Sequence, residues 1–462
     1  MMPSAMKPTP FSRRSFLRRS AAAAGVLAFP FVARRNVYGA SSRLNLAAVG
    51  VGGKGAVDIQ CCATENIVAL CDVDQARAAG THAKYPAARQ FVDFRKMFDE
   101  AVDSFDAVII STPDHTHAHP ALLAMNAGKH IYLQKPLTHT VYEARLLANM
   151  ARTKRVVTQM GNQGHCHPDS RRLVELIRAG VLGDVREVHV WTDRPIWPQG
   201  IHRPTEFTPV PDTLNWDLWL GPAPQRPYNK AYVPFNWRGW WDFGTGSIGD
   251  MGCHNMDLAF WSLQLRDPES VEVLDQDGMT ADSPAKASVT EWVFPKLRVQ
   301  NPLTGETRSR PKVSLTWYDG GRQPDPELAK VDKLPPNGCI LIGRKDTLYV
   351  PMYWGRGSFL SGAKMEDFKE VPQTLPRYPG SEADNDLAHH QEWIQAVKGN
   401  GVALSNFDYA GPMTEAVLLG NVAQRVGKKI KWDAREMRIR NEKEANPLLT
   451  KEYRKGWELP LV

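Results

Sequence analysis

The sequence predicts an α/β protein whose first half is a doubly wound parallel sheet. Three observations carry this. Short apolar runs alternate with helical stretches from Arg43 to Gly161. The first run ends in a glycine-rich turn, Gly50-Val51-Gly52-Gly53-Lys54-Gly55. The second run closes on an acid, Asp72, which stands 17 residues after Gly55.

The elements follow in order. "RLNLAAVG" is a buried strand, and a helix runs on from the turn to Cys62. "NIVALCD" is the next strand, and "FRKMFDEAV" has helical spacing. "DAVIIS" is a strand, "HPALLAMNAG" a helix closed by Gly128, and "KHIYLQ" a strand. "VYEARLLANMARTK" is a helix and "RVVTQMG" a last strand. Gly50, Gly52 and Gly55 keep G-x-G-x-x-G register between a strand and a helix, with Gly53 in the same turn. In that context the pattern marks a Rossmann-type dinucleotide site, its glycines admitting the pyrophosphate to the helix N-terminus. Asp72 is placed to accept from a ribose 2′-hydroxyl, which favours NAD, with NADP as the alternative.

Ahead of this domain stands "FSRRSFLRRS" and the apolar run "AAAAGVLAFPFV". Arg13-Arg14 before a short apolar run reads as a twin-arginine export signal over residues 1–40, and predicts a periplasmic protein that leaves the cytoplasm folded. The run is too short to span a bilayer, so no membrane partner is expected once the signal is removed. The signal also owns the chain's basic character. It holds seven of the 57 basic residues and no acid, so the remainder balances the 50 acidic residues. That excludes an electrostatic argument for nucleic acid. Six cysteines, adjacent or scattered, read as buried thiols.

From Ser111 to Leu137 the chain resembles the glucose-fructose oxidoreductase and inositol dehydrogenase (Gfo/Idh/MocA) family. The family's T-P-x-x-x-H turn appears as Thr112, Pro113 and His117. Its E-K-P motif appears as Gln134-Lys135-Pro136, and its D-x-x-x-H pair as Asp250 and His254. The resemblance runs on through "FDYAGPMTEAVLLGNVAQRVGKKIKWD". It implies a Rossmann domain over 43–160, then an α/β domain over 161–440 with a large, open, mostly antiparallel sheet. A tail follows over 441–462. It also implies a homo-oligomer, a dimer or tetramer, built through that sheet. Ser111, Thr112, Pro113, His117, Gln134 and Lys135 are the expected cofactor contacts beyond the first turn.

The residue chemistry points the same way. Oxidising a secondary alcohol needs a base for the hydroxyl proton while hydride leaves the carbon. His254 suits that task by its ordinary pKa, and Asp250, four residues earlier, would orient it. Lys135 follows a strand at the carboxyl edge of the sheet, where an ammonium can hold the reacting oxygen. Gln134 stands where the family carries Glu; a neutral neighbour supports the Lys135 ammonium less and opens a share of the base role to it.

No metal is expected: His165, Cys166 and His167 are too close in sequence to converge on one tetrahedral ion. "HTHAH" (His115, His117, His119) is expected at a cofactor or substrate edge. Eight of fourteen tryptophans fall between Trp191 and Trp261, in Pro- and Gly-rich stretches that read as long loops. Such rings either take sugar faces or pack the loops themselves. Trp237, Arg238, Trp240 and Asp257 are the candidate substrate contacts. "AREMRIRNEKEANP" is expected at the surface.

Together these predict an NAD(P)-dependent oxidoreductase acting on a carbohydrate hydroxyl with a retained, internally recycled cofactor. A redox-neutral NAD-dependent glycosidase and a non-catalytic sugar-binding protein are the rival readings.

Overall fold

The computed structural model describes residues 42–461, apart from 301–304, 306 and 353; residues 1–40, expected to be an export signal, lie outside them. The first half holds β1 (Asn45–Val49), α1 (Lys54–Cys61), β2 (Asn66–Cys71), α2 (Gln75–Lys84), β3 (Arg89–Phe91) and α3 (Phe94–Ala101). It continues with β4 (Ala107–Ile110), α4 (Ala118–Asn126), β5 (His130–Leu133), α5 (Val141–Lys154) and β6 (Thr158–Met160). All six strands are parallel, in the order β3-β2-β1-β4-β5-β6. The order reverses beside β1, so the Gly-rich turn, the turn after β4 and the turn after β5 open on one crevice. Two elements escaped the sequence reading, α2 and β3. The three residues of β3, Arg-Gln-Phe, sit at the sheet edge and carry no apolar alternation.

The second half contributes α6 (Pro168–Arg178), β7 (Val185–Trp191), α7 (Trp216–Leu220), α8 (Gly246–Asn255) and α9 (Asp257–Leu263). It adds β8 (Ser270–Asp277), β9 (Ala287–Phe294), the hairpin β10 (Leu297–Gln300) and β11 (Thr307–Arg310), and β12 (Val313–Asp319). After β13 (Gly338–Gly343), β14 (Thr347–Val350) and β15 (Ser358–Phe359) come α10 (Asn385–Val397), α11 (Phe407–Val426), β16 (Ile430–Asp433) and β17 (Arg438–Ile439). Nine of these strands form one mostly antiparallel sheet, β15-β14-β13-β7-β12-β9-β8-β16-β17, in which only β7 and β12 run parallel. Its core packs against α6, α8, α9 and α11 through Val188, Trp292, Trp317, Phe260 and Leu419.

Two late segments return to the first sheet. Helix α10 covers one face, with Trp393, Ile394 and Val397 packed against Leu44, Leu46 and Tyr132. The final segment crosses the other face and buries Trp457 against Phe94, ring centroids 5.8 Å apart. The charged stretch 434–447, expected at the surface, is anchored there by Ile439 and Ala445, which are buried in the second core.

Candidate active site

The Gly-rich turn is shaped by contacts that leave no room for side chains. Gly50 has φ 78°, and a Cβ there would stand 2.7 Å from the Ser111 carbonyl oxygen. A Cβ on Gly55 would reach within 1.8 Å of the Gly50 oxygen. No side chain caps the N-terminus of α1, as is also true of α4, α8 and α9, and Gly53 before it takes φ 54°. The turn therefore fits a pyrophosphate, whose oxygens would take the amides at that terminus. Asp72 does more than await a ribose. Its Oδ2 accepts from the amides of Val51 (2.8 Å) and Gly52 (3.1 Å), and its Oδ1 from Asp74 (2.9 Å). It holds the turn as well as facing its mouth.

The turns after β4 and β5 are tied to each other. His117 was expected to meet cofactor; instead it is buried, with Nδ1 2.9 Å from the Pro136 carbonyl and Nε2 2.8 Å from that of Thr112. It locks Thr112-Pro113 to Lys135-Pro136. His115 and His119 are also interior, their Nε2 atoms against the carbonyls of Trp219 (3.0 Å) and Trp457 (2.7 Å). Burial drives their pKa values down, to about 3 and about 4, so both are neutral packing groups rather than edge residues.

At the crevice, Lys135 Nζ donates to Asp250 Oδ1 (2.8 Å) and to the Asp250 carbonyl (2.9 Å). Arg238 Nε donates to the same Oδ1 at 3.1 Å. Burial works to raise the Asp250 carboxyl, but the two cations win and hold it well below the usual range. His254 lies one turn further along α8. Burial first, and then Lys135, push it down to about 3, against the pull of Asp250. The expected near-neutral pKa is thus corrected: the imidazole is neutral throughout the physiological range. The carboxylate of Asp250, expected to orient His254, is engaged mainly by the cations.

Sequence reasoning missed Asp114. It sits in the turn after β4, is 3% exposed, and accepts from Thr245 Oγ1 at 2.7 Å. Burial lifts its pKa to about 7, although Thr245, Arg238 and Lys135 oppose this. Asp114 reads in sequence as one more polar turn residue; its place between Thr112-Pro113 and His117 was the available signal.

The remaining candidates separate. Trp240 is 2% exposed and packs on Tyr232 (5.2 Å) in a small aromatic core with Trp216, Trp219 and Phe243, so it meets no substrate. Trp237 is buried too and carries the Arg238 guanidinium on its face at 4.2 Å. Asp257 accepts from His165 Nδ1 (2.9 Å), Asn162 Nδ2 (3.0 Å) and Tyr409 Oη (2.6 Å), which makes it the centre of a closed polar network. The segment 192–245 also reaches the cofactor side: the Asn215 amide bonds to the Val73 carbonyl (2.8 Å) and that of Gln75 to Thr213 (2.9 Å). Among the described residues one group of three, Asp58, Asp386 and His390, has metal-like spacing. The Lys54 ammonium already occupies it, 3.3 Å from Asp58 and 2.5 Å from Asp386.

Two models of known families match the chain. One describes an oxidoreductase-family NAD-binding Rossmann fold and covers residues 44–162. The other describes the C-terminal alpha/beta domain of that oxidoreductase family and covers 172–293. The inositol 2-dehydrogenase 2 of Saccharopolyspora erythraea is 29% identical over 177 residues, 37% of this chain and 48% of the relative. A 4-carboxy-2-hydroxymuconate-6-semialdehyde dehydrogenase of Sphingobium is 28% identical over 35% of this chain and 56% of its own length. The chain thus spans about half the length of these curated relatives. Among solved structures, the WlbA dehydrogenase of Bordetella pertussis, in complex with NADH and UDP-GlcNAcA, shares the fold with TM-score 0.56 at 16% identity. That match covers 85% of this chain and 99% of the other. An aldose-aldose oxidoreductase of Caulobacter crescentus does so with TM-score 0.54 at 16% identity, over 84% and 100%.

Proposed function

This chain belongs to the Gfo/Idh/MocA oxidoreductase family, and on that premise we propose that it oxidises a hydroxyl of a sugar or glycoside and keeps its NAD(P) through the cycle. The observation that carries this reading is the Lys135–Asp250–Arg238 cluster at the carboxyl edge of the sheet, with His254 one turn along the same helix. When bound, a nicotinamide supplies the hydride acceptor. The protein's own part is to hold and deprotonate. Lys135 places positive charge where the reacting oxygen turns negative. His254 is neutral and placed for the hydroxyl proton, but burial and Lys135 hold its pKa at about 3; it becomes an effective base only as the alkoxide forming beside Lys135 offsets that charge, with Asp250 stabilising the imidazolium. Segment 192–245 supports retention of the cofactor, since it is bonded to the strand end that carries Asp72. Retention gives the twin arginines a purpose: a cofactor loaded in the cytoplasm travels with the folded protein to the periplasm. Assembly through the nine-stranded sheet completes the proposal.

Native mass spectrometry of the purified protein, followed by a glycan screen at the nicotinamide absorbance, tests it. Bound NAD(P) and a glycan-dependent absorbance change are expected; a protein that binds no dinucleotide refutes the reading. A redox-neutral glycosidase is a second reading, favoured by Asp114. An acid with a pKa of about 7 beside the cluster is superfluous to hydride transfer, but it suits protonation of a leaving alcohol. Exchange of substrate C–H deuterium with solvent, coupled to glycoside cleavage, separates the two.

A further inference from the structure

Beneath the crevice lies a carboxylate that the reaction does not touch. Asp58, on α1, has no exposed surface. Its Oδ2 accepts from Ser111 Oγ at 2.7 Å and from Gln134 Nε2 at 2.8 Å. Its Oδ1 stands 3.3 Å from Lys54 Nζ and 3.3 Å from His390 Nε2, at ion-pair rather than aligned hydrogen-bond range. Each donor belongs to a different wall. Lys54 opens α1 itself at the close of the Gly-rich turn, Ser111 begins the turn after β4, Gln134 precedes Lys135 after β5, and His390 comes from α10 of the second half.

Helix α10 is fastened there by more than one bond. His390 Nδ1 bonds to the Asp386 carbonyl (2.6 Å), and its ring stacks on Tyr132 of β5 with centroids 4.0 Å apart. His389 Nδ1 meets the Tyr132 hydroxyl at 3.0 Å, and Gln391 Nε2 donates to the Cys61 carbonyl at 2.9 Å. Asp386 draws on Lys54 from outside. A buried carboxylate with these donors stays ionised: burial works against it, but His390, Lys54 and Ser111 hold its pKa below the ordinary value.

We propose that Asp58 is a positioning residue for the dinucleotide, through which α10 sets the relative placement of the three cofactor-lining turns. The neutral Gln134 follows from this. A glutamate there would set a second carboxylate against Asp58 at hydrogen-bond distance, with both groups buried, and like charges so placed do not both ionise. The negative charge that the family pattern carries before its lysine sits on α1 in this chain.

The inference rests on the NAD-binding reading, so its test measures cofactor binding by the apoprotein, without substrate. NADH titration by tryptophan-to-nicotinamide energy transfer and thermal melting are compared for wild type, Asp58→Asn, Gln134→Glu and the double variant. Asp58→Asn is expected to raise the NADH dissociation constant at least about tenfold, the loss of hydrogen bonds to a charged group. Gln134→Glu is expected to raise it about 100-fold, and the double variant to return it to within about fivefold of wild type. Equal affinity of Asp58→Asn and wild type overturns the proposal, as does a double variant no better than Gln134→Glu. A wild type that binds no NADH refutes the NAD reading instead, and the inference with it. If Asp58→Asn does not fold, Lys54→Met and Asp386→Asn probe the exposed side of the same cluster. A threefold or larger loss of affinity in both is expected, and none in either overturns the proposal.

Discussion

The two cations on Asp250 reach it from opposite kinds of structure. Lys135 comes from the end of a buried strand, and its turn is fixed from behind by His117 and Gln134. Arg238 comes from a 3-10 turn inside segment 192–245, a long excursion with one short helix. That excursion carries its own aromatic core, and Arg238 leaves it sandwiched between Trp237 at 4.2 Å and Phe235 at 4.6 Å. One side chain is placed by the sheet and the other by a local cluster of rings. The difference teaches where each half is fragile. The sheet side tolerates little change in charge, and the excursion side little change in ring volume.

The comparison breaks most visibly at Lys135. Lys135→Ala is expected to lower turnover about 10²- to 10³-fold with cofactor still bound, because its charge acts on the reacting oxygen. Steady-state kinetics beside bound-nicotinamide absorbance check this. Retained turnover would shift the reacting centre to Arg238. Trp240→Ala should act through folding, costing about 3 to 4 kcal/mol for a lost buried ring, read by denaturant unfolding. If the protein keeps its stability, the excursion does not depend on its core.

Arg238→Lys keeps the charge but loses the planar stack. A tenfold fall in kcat/KM is expected, or about 1.4 kcal/mol. Asp114 sharpens the contrast through pH. Its folded pKa, about 7, lies above the ordinary 3.8, so the folded state holds the proton longer than the unfolded chain. The stability it contributes is full below about pH 4 and declines as pH rises toward about 7. Asp114→Asn should flatten that decline in melting curves; an unchanged slope places the titration elsewhere. Phe235→Ala should be the mildest change. The ring is 43% exposed but carries the Arg238 guanidinium at 4.6 Å, and a stability loss of about 0.5–1 kcal/mol is expected. A larger loss would mean that the excursion's core extends to its surface.

The two regions were also unequally legible in the sequence. The first sheet could be read because its strands are apolar runs ending in glycine or an acid, a pattern that backbone and burial jointly require. The Lys135, Asp250 and His254 positions came from motifs. The buried polar residues did not. Asp58 looks like a solvated helical acid until it is placed on the stripe Gly55, Asp58, Ile59 and Cys62, which is interior throughout. The excursion was read as loop, correctly for its backbone. Which of its rings would pack and which would face the crevice depends on contacts between residues 16 and 24 positions apart, Trp216 with Tyr232 and Trp219 with Phe243, and no local period encodes those.

The fastening of α1 by α10 has a consequence for how the chain is made. Asp386 follows Lys54 by 332 positions. At about 5–20 residues per second, the ribosome needs about 17–66 s to make the 332 residues after Lys54 up to Asp386. Through that interval a nascent first sheet holds its interior carboxylate with Ser111, Gln134 and Lys54 but without His390 of α10, and one face of the sheet lacks Trp393 and Ile394. Such an intermediate is a natural client for chaperones, and an interrupted chain a natural target for proteolysis. If α10 sets the three turns as proposed, the nucleotide pocket is completed only after residue 390 has been made, and loading follows that point rather than the folding of the first sheet alone.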